Sequence, residues 1–245
     1  SRYNPNFKPT DHKYITLTSH NHKADAINKA ELDKLPQKLF EYRGAIKGDF
    51  NDKQLPTELI LKLKEGAQVM FIKNDSSGLS RYYNGKLAIV DQINQEEITV
   101  RFPESNDCLK IEKETWENIT YRHDDESNTI DEKVLGTYTQ FPLRLAWAIT
   151  IHKSQGLTFT HAIIDAGSSF APGQVYVALS RCTSLEGIVL HSRILANAIH
   201  SDFRIYDFNA IEQPLAQLEA HLHNEKLNYE NEKIHSLFVW KQLLD

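Results

Sequence analysis

The stretch Ala148-Ile-Thr-Ile-His-Lys-Ser-Gln-Gly-Leu-Thr-Phe159 places a polar loop, His152–Gly156, after an apolar segment. The residues that follow, Thr160–Asp165, have the pattern of a buried strand. In open α/β folds, ligands bind in loops at the edge of the sheet. Threonine, serine and glutamine can bond phosphate oxygens, lysine adds charge, and glycine lets a backbone approach closely. The stretch therefore predicts a phosphate-handling loop in an α/β domain.

A second informative stretch is Gly173-Gln-Val-Tyr-Val-Ala-Leu-Ser-Arg-Cys-Thr-Ser-Leu-Glu-Gly187. It predicts a helix over Pro172–Arg181, because proline costs little at a helix start, where its missing N–H has no partner to lose. Arg181 ends this otherwise apolar helix with a guanidinium that can clamp a phosphate through two hydrogen bonds. The plainer alternative is a surface arginine at a helix end.

The N-terminal segment has the pattern of half an α/β unit. A strand is predicted at Tyr14–Thr18, a polar turn at Ser19–His22, and a helix that runs from Lys23 to Pro36. Phe40–Gly44 predicts a further short strand. With the strands predicted around the polar loop, these elements favour an α/β domain.

The middle of the chain carries short strands separated by turn residues, which is typical of a small all-β barrel. Pro56–Lys64 predicts a connector leading into it, and the acidic run His123–Glu132 predicts an exposed loop. We expect this β module to occupy residues 66–139 as an insertion in the α/β domain. Its predicted strands are Ala67–Ile72, Lys86–Val90, Ile98–Phe102 and Thr115–Tyr121.

Apolar residues at helical spacing predict a helix or helix pair at the C-terminal end. These residues are Ile211, Leu215, Leu218 and Leu222, followed by a second cluster of Ile234, Leu237, Phe238 and Trp240. A final core strand is predicted at Gly187–Leu190. The patterns divide the chain into an α/β domain (1–65 and 140–210), the β insertion (66–139) and a C-terminal helical extension (211–245).

The composition is that of an ordinary globular protein. Of 245 residues, 40% are hydrophobic and 25% are charged, and 33 acidic against 28 basic residues give a net charge of −5. This balance argues against a nonspecific basic nucleic-acid binder. The apolar stretch Leu143–Ile151 contains an arginine and is too short to span a bilayer, and the N-terminus lacks a signal-peptide core.

The two cysteines, Cys108 and Cys182, are too few for a disulfide framework or a cysteine-rich zinc site. They fit a reducing compartment, so we expect a cytoplasmic protein with no membrane partner. The histidines show no paired spacing, and no metal site is expected. Cys182 lacks an identifiable histidine and aspartate partner, which favours a packing role over that of a nucleophile.

Two motifs together resemble those of a known enzyme family. Ile151-His-Lys-Ser-Gln-Gly-Leu-Thr-Phe159 and Tyr176-Val-Ala-Leu-Ser-Arg181 are similar to motifs V and VI of superfamily 1 DNA helicases. The form is that of the petite-integration-frequency family and its RecD-like relatives. Ile15-Thr-Leu-Thr18 with Asn21 is similar to motif IV, although His20 stands where a threonine is common.

Gly66–Asn74 and Tyr83–Lys86 resemble the start of the SH3-like β insertion of the same family, and the resemblance covers residues 14–208. It implies the second RecA-like half of such a helicase. The expected fold is a RecA-like parallel-sheet domain with an inserted SH3-like β-barrel and C-terminal helices. The expected activity is ATP-dependent 5′–3′ movement on single-stranded DNA, with the insertion capping the DNA path.

The resemblance also implies roles for individual residues. Arg181 matches the motif VI arginine finger, the catalytic residue that reaches the γ-phosphate and stabilises charge in the transition state. Gln155 and Gly156 match positions beside the nucleotide. The residues expected to bind single-stranded DNA are Thr150, His152, Lys153 and Asn21.

The sequence has no G-x-x-x-x-G-K-[ST] loop and no upstream Asp-Glu pair for Mg²⁺. The resemblance therefore implies that ATP and Mg²⁺ bind mainly to an N-terminal RecA-like half of the same parent chain. That half and a single-stranded or forked DNA are the expected partners. We expect a fragment that does not hydrolyse ATP alone.

Alternative interpretations stay open at this point. The chain could be a non-catalytic, helicase-derived module that binds nucleic acid or a protein, or a relative joined to a nuclease or protease. Asn21 could cap the following helix instead of contacting phosphate. Asp165 is assigned to loop capping, and Tyr82-Tyr83 to covering the barrel end in preference to stacking on bases.

Overall fold

Alternating α/β segments enclose a run of antiparallel strands in the computed structural model, which describes residues 2–9, 12–51, 55–124, 129–167, 169, 171–199, 202–210 and 214–237. Two units are distinguished, Ser1–His200 and Ser201–Asp245. The first contains β1 (Ile15–Thr18), α1 (Asn21–Lys34), β2 (Phe40–Arg43), β3 (Ala45–Gly48), β4 (Ile60–Leu63), β5 (Gln68–Phe71), β6 (Leu87–Ile93), β7 (Ile98–Arg101), β8 (Cys108–Ile111), β9 (Glu114–Asp124), β10 (Thr129–Gln140), β11 (Leu143–Leu145), β12 (Ala148–Thr150), β13 (Ala162–Asp165), α2 (Gln174–Leu179) and β14 (Ile188–Leu190).

Four parallel strands form the sheet expected of the α/β domain, in the order β12–β1–β13–β14. Leu17 on β1 and Ile164 on β13 are fully buried in its core. The register places Thr18 opposite both Thr150 and Asp165. The carboxyl ends of three neighbouring strands therefore meet at one edge, and the predicted α/β class is confirmed.

The strands between these segments are antiparallel, as the turn-rich sequence predicts. They form a five-stranded sheet in the order β11–β5–β6–β7–β8, a three-stranded sheet β3–β10–β9 and a pair β2–β4. Val69, Phe71 and Val100 are fully buried in the core that the five-stranded sheet shares with the pair β2–β4. Four of these strands, β2, β3, β4 and β11, come from outside residues 66–139. Because β3 pairs with β10 and β11 pairs with β5, hydrogen-bonded sheets cross both ends of the predicted insertion.

Gln68 ties the five-stranded sheet to the parallel sheet. Its Nε2 atom donates to the carbonyl oxygens of Tyr14, at 2.8 Å, and Ala146, at 2.9 Å. The side chain is only 2% exposed, and a buried amide is tolerated when its donors find acceptors. Since Tyr14 precedes β1 and Ala146 precedes β12, this one amide holds β5 against the start of two parallel strands.

The expectation of a loop at His123–Glu132 is wrong. In the structure, β9 runs to Asp124 and β10 begins at Thr129, and the two strands pair along their length; residues 125–128 lie outside the described residues. Glu132 and Lys133, which point to opposite faces of this ribbon, are both exposed. A ribbon open on both faces needs no apolar alternation, so its acidic sequence resembles that of a loop.

Two other expectations need correction. Pro56–Lys64 is more than a connector, since β4 lies within it and pairs with β2 while Leu61 and Leu63 are buried. The helix expected over Pro172–Arg181 is shorter, because α2 starts only at Gln174 after Gly173, whose φ is +73°. Pro172 therefore precedes the helix instead of starting it.

The second unit contains α3 (Phe203–Asn209) and α4 (Leu215–Leu237). The expected C-terminal helix is present as α4, which holds the described residues of both apolar clusters, whereas α3 precedes the segment in which a helix was expected. Asp202 caps α3 by accepting the N–H of Arg204. The predicted stripe residues Leu215, Leu218 and Leu222 lie on α4. Ile211, Phe238 and Trp240 fall outside the described residues. No helix in the described part of the chain is long and apolar enough to cross a membrane.

Candidate nucleotide and nucleic-acid site

The polar loop of the sequence leaves the carboxyl edge of the parallel sheet. Ile151, just after β12, donates its N–H to the carbonyl of Thr18 at 2.8 Å, which extends the pairing of β12 and β1 by one bond. A 3₁₀ turn, His152–Ser154, follows at once. Its start is fixed by Thr150, whose Oγ1 accepts the N–H of Lys153 at 3.3 Å. The edge of the sheet thus sets where the loop side chains point.

The four residues expected at DNA gather at this edge but differ in exposure. His152, Lys153 and Asn21 are exposed, whereas Thr150 is 5% exposed with its hydroxyl engaged in the loop. Thr150 is thus placed to shape the turn, and the other three are placed to meet a ligand. Asn21 is the first residue of α1, and His20 occupies the N-cap position, so the capping alternative for Asn21 is wrong.

Gly156 turns the chain back toward the amino end of β13. Its φ is +77°, in the left-handed region that favours glycine, and nothing lies within 4 Å of where a Cβ would stand. Gln155 beside it is exposed. The pair therefore presents an accessible turn whose backbone is open to a close-approaching group.

Arg181 lies two residues beyond the end of α2 and is brought to this returning segment. Its guanidinium donates from Nε to the carbonyl of Val177 at 3.0 Å and from Nη1 to the carbonyl of Leu157 at 3.2 Å. The Arg181 carbonyl in turn accepts the N–H of Phe159 at 2.8 Å. Its described acceptors are neutral carbonyls and the Ser180 hydroxyl, with no carboxylate among them. The cation is therefore oriented without being neutralised.

The structure thus sorts the expected residues into two groups. Gln155, Gly156 and Arg181 lie along the segment that returns to the amino end of β13. Asn21, Thr150, His152 and Lys153 lie at the carboxyl edge. The first group could receive a phosphate next to an arginine, and the second offers a lysine, an imidazole and an amide to an extended polyanion.

Two contacts that position α1 against the parallel sheet were not predicted from the sequence. Asp165 forms an ion pair with Lys23, with 3.1 Å between Oδ2 and Nζ, in place of the loop-capping role assigned to it. The Asn28 side chain bonds the backbone of Ala148 twice, donating to its oxygen and accepting from its nitrogen, both at 2.8 Å. Because β12 is an edge strand, the Asn28 amide substitutes for a neighbouring strand.

Replacing Asn28 with alanine should destabilise the protein by about 1–3 kcal/mol, because two backbone groups of β12 lose their partner. Urea denaturation should show a lower midpoint at an unchanged slope. Asn21→Ala on the exposed first turn of the same helix is the matched control and should change stability by no more than about 0.5 kcal/mol. Equal effects of the two changes would contradict the proposed pinning of β12.

Other candidate residues take packing roles. Burial raises the pKa of the Cys182 thiol, which disfavours the thiolate and supports the packing role. Tyr82 is buried, with its ring stacked on Phe71 at 4.0 Å between centroids, as expected for a residue covering the barrel end. Tyr83 is 56% exposed. Among the described residues, no group of three or more His, Cys, Asp or Glu side chains could hold a metal ion.

Comparison with known proteins gives a consistent set of relatives. No protein-family model matches the chain. Over 215 residues the chain is 30% identical to the ATP-dependent DNA helicase Pif1 of Campylobacter jejuni, covering 80% of this chain and 47% of that relative. It superposes on Bacteroides Pif1 in complex with ADP-AlF4 with a TM-score of 0.73 and 43% identity, over 82% of this chain and 46% of the other.

Bacteroides Pif1 bound to single-stranded DNA gives a TM-score of 0.64 at 42% identity, over 85% of this chain and 47% of the other. The chain thus spans about half the length of the relatives it matches. The chain therefore shares its fold with solved Pif1 structures to which it is more than 40% identical in sequence.

Proposed function

The chain belongs to the Pif1 family of DNA helicases, and on this premise we propose that it is the C-terminal motor half of an ATP-dependent 5′–3′ DNA helicase. The contact that carries the proposal is the one between Arg181 and Leu157. It joins the two helicase-like motifs and puts the guanidinium beside the Gln155-Gly156 turn. A phosphate arriving there would meet a fork of N–H donors and an open backbone.

In this proposal Arg181 acts as an arginine finger toward ATP bound on an N-terminal RecA-like half of the parent chain. Gln155 and Gly156 flank the nucleotide. Mg²⁺ would be held mainly by the N-terminal half, and we assign no Mg²⁺ ligand to this chain. Bacteroides Pif1 has been solved in complex with ADP-AlF4, which supports a nucleotide at the motor of this family.

We assign the exposed residues Asn21, His152 and Lys153 to the phosphates of single-stranded or forked DNA, with Thr150 shaping their turn. Because such contacts go to the backbone, little sequence specificity is expected. Bacteroides Pif1 has also been solved with single-stranded DNA, which supports this partner.

The domain organisation we propose follows the same assignment. Residues 1–65 and 140–210 form the second RecA-like domain, residues 66–139 an SH3-like insertion, and residues 211–245 a helical extension. The strands β3 and β11, which pair across these limits, would make the insertion a firmly anchored cap on the DNA path. We place the protein in the cytoplasm, associated with DNA.

The chain should bind a fluorescent oligothymidylate weakly and with a marked dependence on salt, because few phosphates are contacted. Each phosphate contact contributes about −0.7 to the slope of log K against log salt for a single strand. Lys153→Gln should reduce the slope by about that amount, while Lys47→Gln on the exposed strand β3 should leave it unchanged. Tight, salt-insensitive binding in the anisotropy titration would contradict the proposal.

A further inference from the structure

A cavity of about 530 Å³ lies between α1 and the edge strand β12. Asn28 and Leu32 line it from the helix, Ile149 and Thr150 from the strand, and Arg144 and Lys153 from the segments on either side of β12. The cavity therefore reaches the carboxyl edge, where the exposed residues of the polar loop begin. Its volume exceeds that of a phosphate and leaves room for the attached nucleotide.

The lining of the cavity is basic although the chain is acidic. Five lysine and arginine residues line it against three aspartate and glutamate residues, in a chain with a net charge of −5. Lys29 is paired with Asp33, Lys62 with Glu41, and Lys64 donates to a carbonyl. Within the described residues, three lining cations therefore form no ion pair: Lys64 and Arg144, each of which donates to one carbonyl, and Lys153, whose ammonium has no described acceptor.

Arg144 is unusually poorly satisfied for a half-buried cation. A guanidinium has five N–H donors. In Arg144, Nη2 donates to the carbonyl oxygen of Pro56 at 2.7 Å, and the other two nitrogens have no acceptor among the described contacts. Burial lowers the pKa of Arg144, and the negative charge of Glu58 opposes this effect. Glu58 lines the same cavity but lies beyond ion-pair distance of Arg144 among the described contacts. A buried cation with unused donors is stabilised by an anionic acceptor.

We propose that this cavity binds one backbone phosphate of the single strand, between Arg144 and Lys153, with the attached sugar against Leu32 and Ile149. This inference rests on the proposed function, since the strand is what brings the phosphate. The strand is favoured over a free nucleotide because Lys153 belongs to the same turn as the exposed His152. A polyanion that crosses that turn passes the mouth of the cavity.

The test is an anisotropy titration of the chain with short labelled oligothymidylates in which one phosphate at a time is replaced by an uncharged methylphosphonate. The variants are Arg144→Gln, Arg144→Lys and, as a charge-matched control on an exposed strand, Arg43→Gln. A thermal melt of each variant checks its fold. Free dTMP serves as a competitor to separate a strand phosphate from a free phosphate ester.

For the wild type and Arg43→Gln, neutralising one particular linkage should lower affinity about tenfold, as expected for a charge-assisted hydrogen bond. Arg144→Gln should bind the native strand about tenfold more weakly and become insensitive to that linkage. Arg144→Lys should recover part of the loss. A purely structural role for Arg144 would instead weaken all strands alike.

Three results would overturn the inference, and they differ in what they leave standing. If Arg144→Gln matches Arg43→Gln, or weakens every strand alike, the cavity holds no strand phosphate while the proposed DNA contacts remain. If dTMP binds in an Arg144-dependent manner and all linkages tolerate neutralisation, the occupant is a free phosphate ester. If the wild type binds no strand at all, both the inference and the proposed DNA-binding role fail.

Discussion

Replacing Arg181 with alanine should lower the steady-state ATPase rate of the complete two-half motor about a thousandfold, in line with the loss of an arginine finger. The reason lies in how the side chain is held. Carbonyl oxygens of Val177 and Leu157 orient the guanidinium without neutralising it, so in the proposed motor its full charge would be available to the γ-phosphate as negative charge redistributes in the transition state. Affinity for single-stranded DNA should be unchanged, because Arg181 is not among the residues that we propose to contact DNA.

The matched control is Arg193→Ala, which removes a guanidinium that packs over the ring of Tyr3, 5.0 Å from its centroid. It should leave the ATPase rate within about twofold of wild type, as expected for a surface change away from the site. Arg181→Lys keeps the charge but loses the planar fork, so we expect only slight recovery. Steady-state ATPase activity in the isolated chain that survives Arg181→Ala would contradict the two-half proposal.

Sequence patterns predicted strands of the α/β domain because these strands are short and apolar, whereas their parallel arrangement was implied by the resemblance. The runs ending at Thr18, Thr150 and Asp165 are short, apolar and followed by polar turns, so their shared edge could be foreseen. The contact between Arg181 and the Leu157 segment was implied only by the resemblance, since no local pattern links residues 24 positions apart. Tertiary pairing supplied what local pattern could not.

The burial of Thr150 shows where local sequence patterns stop being informative. A threonine after an apolar strand could face solvent or its own turn, and only the position of the Lys153 N–H decides in favour of the turn. Asn28 was similar, since its partner Ala148 is distant in sequence and the pairing depends on β12 being an edge strand. Both side chains bond backbone groups of other residues, and which backbone groups lie within reach depends on the fold and not on the local sequence.

The net charge of −5 argued against a nonspecific basic nucleic-acid binder, but a total charge does not describe how charged residues are distributed over the structure. Acidic residues Glu132 and Asp131 lie on the exposed ribbon, whereas the cavity beside β12 has a basic lining. At physiological ionic strength, exposed charges more than a Debye length of about 8 Å from a ligand are largely screened. The electrostatic attraction of a ligand therefore depends on the charges close to its site and not on the total charge of the chain. A chain that is acidic overall can therefore still offer phosphate contacts at one edge.

Replacing Gly187 with alanine should lower the free energy of unfolding by about 3 kcal/mol. We expect this to be the largest loss of stability from any glycine-to-alanine change near the candidate site. A Cβ on Gly187 would stand 1.9 Å from the carbonyl oxygen of Thr160, and backbone rather than a flexible side chain would have to move. The clash is hard to relieve because the Gly187 carbonyl accepts the N–H of Ala162 while Ala162 pairs with Ile188, so both strands are held in register.

Urea denaturation of the purified chain measures this loss, and Gly78→Ala is the control. Gly78 has a φ of +79° but open space around its Cβ position, so alanine there meets backbone strain alone, about 1–2 kcal/mol. The excess for Gly187→Ala therefore reports the clash between the segments that precede β13 and β14. Because Phe159, next to Thr160, bonds the Arg181 carbonyl, Gly187→Ala should also impair ATPase in the complete motor. Equal destabilisation by the two changes would show that the backbone around Gly187 and Thr160 moves apart at no extra cost, and would contradict the expected effect of the clash.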